Sequence, residues 1–135
     1  MIRRMRNAIA MAGLSAGLAV PAIGQRPVLA MLNGLEAGSW EVRARDAGAS
    51  IERICLPNSQ RLIQLRHPDD SCDRLIVDDA ATEVTVQYTC RGRGYGRTHI
   101  RRETNRLVQI ETQGIADGLP FAFAAEARRI GDCST

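Results

Sequence analysis

Residues 71 to 91 read SCDRLIVDDAATEVTVQYTCR: two β-rich runs, Asp73 to Asp78 and Thr82 to Thr89, with a cysteine at each outer end. A hairpin folded symmetrically about Ala81 sets Cys72 directly opposite Cys90. It also pairs Arg74 with Tyr88, Ile76 with Val86 and Asp78 with Val84 on the cysteine face, and Leu75 with Gln87 and Val77 with Thr85 on the other. A register slipped by one would match Leu75 and Val77 to the valines, but it would aim the two cysteines at opposite faces. The symmetric register is therefore expected, with a bulge to reconcile it with the apolar residues.

Ahead of this hairpin the chain opens with Arg3, Arg4 and Arg6, an apolar or small run from Ala8 to Ile23, and a small-x-small site at Ala22-Ile23-Gly24. That order reads as a secretory signal cleaved after Gly24. A membrane anchor is the rival, but Gly13, Gly17 and Pro21 interrupt a run barely long enough to span. No cysteine follows it to carry a lipid. The full chain holds 18 basic residues, all arginine, against 15 acids. Cleavage would remove three of those arginines and leave the signs equal, so the mature domain has no general electrostatic reason to bind nucleic acid. The expected location is periplasmic or secreted, with no membrane span after cleavage.

The rest of the chain reads as short strands. Residues 25–34 form an entry segment and 35–135 a single β-domain. Ser39 to Arg45 alternates Trp40, Val42 and Ala44 against polar residues, and Ile51 to Cys55 follows as a second strand. Pro57 to Arg66 fits a helix of two or three turns, capped by Asn58 or Ser59 and stopped at His67-Pro68, with Leu62, Ile63 and Leu65 on its apolar side. After the hairpin, residues 91–96 (RGRGYG) read as a loop. Arg97 to Glu103, Leu107 to Gln113 and Pro120 to Ile130 read as strands, with a turn signal at Asp117-Gly118. Seven strands, tight turns and one short helix predict a mainly β antiparallel meander, curved into a half-barrel or small barrel.

Four cysteines behind a signal fit an oxidising compartment and two disulfides. The hairpin selects Cys72 with Cys90, which leaves Cys55 with Cys133. The second bridge would bring the first and last strands together and close the sheet. No C-x-x-C spacing is present and the two histidines lie elsewhere, which argues against zinc.

Leu35-Glu36-Ala37-Gly38-Ser39-Trp40-Glu41, Cys55-Leu56-Pro57, Cys72, Tyr88-Thr89-Cys90 and Arg129-Ile130-Gly131-Asp132-Cys133 occur in an order that resembles the bacterial family catalogued as domain of unknown function number 3617. The resemblance covers nearly the whole mature chain. It implies a small exported protein of Gram-negative bacteria, mainly β, with paired cysteines, and it implies no activity. The chain departs from the commoner members in having no lysine and no methionine-rich segment after the Trp-Glu strand.

No catalytic, cofactor-binding or metal-ligating residue stands out. Residues 91–96 lack the βαβ context of a dinucleotide loop and the Lys-Ser/Thr of a P-loop. There is no G-x-S-x-G elbow, and no two carboxylates sit at a defined separation. The sequence thus points to an exported, non-catalytic binding domain, with two classes of ligand. A small apolar or lipid guest would use the hollow of the curved sheet, lined by Trp40, Val86, Tyr88, Phe121 and Phe123. Alternatively, a protein-interaction module, such as an inhibitor or accessory factor of an envelope enzyme, would use Arg91, Arg93, Tyr95, Arg97, Arg101 and Arg102. These arginines follow an acid-rich hairpin, and pairing between neighbouring strands is the plainer account of them.

Overall fold

The computed structural model describes residues 28–46, 50–69 and 71–134. The expected signal, the start of the entry segment and most of the turn after the first strand lie outside the described residues. Among the described residues, no helix is long and apolar enough to cross a membrane.

Seven antiparallel strands form one sheet: β1 (Gly38–Ala44), β2 (Ile51–Leu56), β3 (Cys72–Asp79), β4 (Glu83–Cys90), β5 (Gly94–Thr104), β6 (Leu107–Ala116) and β7 (Leu119–Gly131). Their order is β2-β1-β7-β6-β5-β4-β3. From β3 to β7 the chain is a plain meander of local hairpins. The β6–β7 turn is a two-residue loop with both positions at positive φ, Asp117 at 50° and Gly118 at 80°, the twist that matches flanking strands. The first strand pairs with the last, Val42 opposite Ala127. Both expected disulfides are formed, Cys72–Cys90 and Cys55–Cys133. They do not close the sheet: β2 and β3 remain as its two edges, so the fold is an open curved sheet and not a barrel.

Alternation along each strand sorts the side chains onto two faces. The inner face takes Trp40, Val42, Val84, Val86, Tyr88, Ile100, Val108, Ile110, Ala125 and Ala127, all buried. Because the meander leaves off at one edge and β2 lies at the other, the link from β2 to β3 must cross the sheet. It does so as a 3-10 helix, Ser59–Gln64, laid over the inner face. Its six residues make two turns, as expected, but in the tighter 3-10 form and within narrower bounds than 57–66. Asn58 caps it, accepting from the Gln60 N–H at 2.9 Å. Leu62 and Ile63 are fully buried beneath it, each contributing about 2 kcal/mol of transfer free energy. A single-turn helix, α1 (Ala30–Asn33), adds Met31 and Leu32 to the same core. The described part of the entry segment is thus structural.

The β3–β4 hairpin keeps the symmetric register from Cys72↔Cys90 through Ile76↔Val86 and then shifts. A bulge at Val77 replaces the expected Asp78–Val84 and Val77–Thr85 pairs with Asp79↔Val84 and Asp78↔Thr85. The shift turns Asp79 inward, where its Oδ2 accepts the Leu29 N–H at 3.0 Å and holds the start of α1. The loop expected over 91–96 is also shorter. Only residues 91–93 turn, and Gly94 to Gly96 already belong to β5. Glycine is required there by packing: a Cβ on Gly96 would run into the Tyr88 ring, and Gly94 sits at φ 119°.

Candidate functional site

The hollow of the sheet is filled by the protein's own side chains. The 3-10 helix is anchored at its middle, where the Thr98 hydroxyl donates to the Ile63 carbonyl at 2.5 Å and lies 2.7 Å from the Thr112 hydroxyl. Ser59 donates to the Leu32 carbonyl, tying the two helices together. Arg74 donates to Gln64 Oε1 at 2.8 Å and to Gln60 Oε1 at 2.9 Å, which moors the helix to the β3 edge.

Of the residues expected to line a guest cavity, Trp40, Val86 and Tyr88 are core. The Trp40 indole N–H donates to the Glu36 carbonyl at 3.0 Å. The Tyr88 hydroxyl meets His67 Nδ1 at 3.1 Å, and burial pushes its pKa up to about 12. Phe121 and Phe123 sit half-buried at the rim, where His67 tilts against Phe121 and the Arg66 guanidinium lies 4.8 Å from the centre of the Phe123 ring.

The outer face is different in kind. Register places Leu75, Gln87, Arg97, Gln113 and Ala122 in one straight row across β3 to β7. Beside it run Tyr95, Ile115 and Pro120 on one flank and Thr85, His99, Glu111 and Ala124 on the other. Gln87, Arg97 and Gln113 are exposed, and their side chains make no hydrogen bond or ion pair among the described residues. Two open clefts meet at this row. One, of about 400 Å³, has Gln87, Arg97 and Gln113 around it, Tyr95 as its apolar wall, and Gly96, Gly114 and Ala122 where the surface is bare. The other, of about 420 Å³, shares Arg97, Gln113 and Ala122 and adds His99 and Glu111. His99 is held by Thr85 at 3.0 Å and faces Glu83 at 3.7 Å.

The six residues expected as a partner surface do not act together. Tyr95, Arg97 and Arg101 project from the outer face of β5. Arg93 lies at the turn, 3.4 Å from Asp117, and Arg91 is exposed on the same turn. Arg102 has the inner-face parity and donates to Asn105 and to the Ala81 carbonyl. Arg101 pairs along its own strand with Glu103, and Arg106 reaches Glu36. Sequence reasoning missed Gln87, Gln113 and Ala122, and the available signal was their parity: each lies on the polar side of its strand at the level of Arg97.

The chain matches no protein-family model, no curated protein and no solved structure. Two disulfides in so small a domain fit an oxidising compartment.

Proposed function

We propose that the protein is an exported, non-catalytic binding module that engages a protein partner in the cell envelope through the outer face of β4 to β7. The observation that carries this reading is the contrast between the two faces. Inside, α1 and the 3-10 helix occupy the hollow with Met31, Leu32, Leu62 and Ile63, which disfavours the small apolar guest. Outside, a cross-strand row of polar side chains without a partner among the described residues borders two clefts, and Tyr95 stands 52% exposed beside it. Exposed large aromatic and guanidinium groups are the side chains that anchor protein interfaces. The charged head, apolar run and small-x-small site at the N-terminus, and the motif resemblance to a family of exported proteins, support export.

The test is site-specific photo-crosslinking in the native host, with a photoreactive phenylalanine in place of Tyr95 and, as control, in place of Ile51 on the far edge. Protein adducts from the Tyr95 position and none from the control support the module. An organic-extractable guest in native mass spectra, with no adduct from either position, would instead favour the apolar-ligand reading.

A further inference from the structure

We infer that Arg97 is the anchor for a single carboxylate, presented by an extended segment of the partner protein lying in the groove over β5, β6 and β7. The inference rests on the binding-module reading and narrows it to one contact.

Among the described residues, Arg97 is the only charged one lining the cleft beside Tyr95. Its immediate cross-strand neighbours, Gln87 and Gln113, are neutral and cannot compensate it. Strands are about 4.8 Å apart, so three side chains in one row bring two amide groups to the flanks of one guanidinium. Guanidinium matches a carboxylate with two parallel N–H···O bonds, and the amide N–H groups can satisfy the remaining lone pairs. Tyr95, 52% exposed, then offers an apolar wall to the body that bears the acid.

Charge also limits the occupant. The adjoining cleft brings in Glu111, exposed and two residues from Gln113 on β6. A polyanion following the groove would meet that carboxylate, whereas a segment with one acid over Arg97 and a donor over Glu111 would not. The two clefts together extend along β5 from Tyr95 to His99, about 13 Å at strand rise, which takes about four residues of extended chain. They are open to solvent along that length, which suits a passing segment. A free small acid would gain one exposed, salt-screened ion pair and little else.

The experiment is an NMR titration of the oxidised domain with an acetylated, amidated pentapeptide carrying one central glutamate between valines. The expected result is perturbation of the Arg97 Nε–H and the Gln87 and Gln113 side-chain amides, with affinity falling about tenfold in Arg97→Gln and in the glutamine peptide. Arg101→Gln, whose guanidinium already has Glu103, should leave affinity unchanged. Equal binding by Arg97→Gln, equal binding by the glutamine peptide, tighter binding of polyglutamate, or the same response to acetate alone would each overturn the inference. Crosslinks from the Tyr95 position that persist in Arg97→Gln would then leave the module reading standing. Their absence in the parent protein would remove that reading itself.

Discussion

His67 and Tyr88 meet ring edge to ring face inside the domain, with His67 Nδ1 3.1 Å from the Tyr88 hydroxyl and His67 Nε2 3.1 Å from the Arg93 carbonyl. A carbonyl only accepts, so Nε2 carries a proton, and in the neutral imidazole Nδ1 then accepts from the tyrosine. This one imidazole locks the end of the 3-10 helix to β4 and to the turn before β5. His67→Ala should cost about 2 kcal/mol in urea unfolding, because it strands a buried hydroxyl and a carbonyl. Combined with Tyr88→Phe, the double variant should lose less than the sum of the singles. Full additivity would mean that the two groups do not act as a pair.

Tyr88 also sets a pH limit. Its folded pKa of about 12 lies above the ordinary 10.0, because burial disfavours the phenolate. The folded state therefore holds this proton more tightly than the unfolded chain. The associated stability is fully present below pH 10 and is lost as pH rises towards 12. Ultraviolet titration should show a tyrosine ionising near the upper figure, and Tyr88→Phe should flatten the alkaline fall in stability.

Gly96 is a packing requirement and not a loop residue. Gly96→Ala should destabilise by about 2 kcal/mol through collision with the Tyr88 ring. Gly131→Ala, where a Cβ meets nothing within 4 Å, should stay within about 0.5 kcal/mol of the parent. Thermal denaturation of the pair decides it, and equal losses would refute the role assigned to the Tyr88 contact.

The two bridges should contribute unequally. Cys55–Cys133 spans 78 positions and Cys72–Cys90 spans 18. On loop-closure grounds their removal costs about 4.5 and about 3 kcal/mol. Serine replacement of each pair, followed by urea unfolding, should preserve that ranking.

Edge protection is the last expectation. Leu75, Ile76 and Val77 are exposed at 64%, 38% and 45% on the unpaired margin of the sheet. The bulge at Val77 and the flanking Asp73 and Asp78 are devices that discourage strand addition from another molecule. Replacing both aspartates by asparagine should shift sedimentation towards larger species at equal concentration.

The hairpin was legible in sequence because two cysteines fixed its parity, and parity determines which side chains share a face. Its bulge was not, because Asp79 turns inward to meet the Leu29 N–H, a tertiary contact invisible to local pattern. The helix before Pro68 was legible as an apolar plug through Leu62 and Ile63. Its 3-10 form accompanies anchors distant in sequence, Ser59 to Leu32 and Thr98 to Ile63. Residues 91–96 read as a loop because glycine composition signals flexibility, whereas two of these glycines make room for a ring and a tight backbone. The row through Arg97 needed the register of three neighbouring strands before Gln87 and Gln113 could be seen beside it.

The open strand order has a consequence for how the molecule reaches its oxidised state. Cys72 and Cys90 are brought together by a local hairpin, whereas Cys55 reaches Cys133 only after β1 has docked on β7. Closing the longer loop costs about 1.3 kcal/mol more in chain entropy, and contacts near in sequence form sooner. Cys55 is as near to Cys72 along the chain as Cys90 is, so the β3–β4 register is what selects the short bridge, and its formation ahead of the long one would withdraw both its thiols from circulation. Cys55 is then left with one partner, and the mispairing with Cys72 that adjacency along the chain would favour is closed off. The second bridge becomes a seal set only on a completed sheet, and the thiol content of the folding chain serves as a clock for the docking of its first strand onto its last.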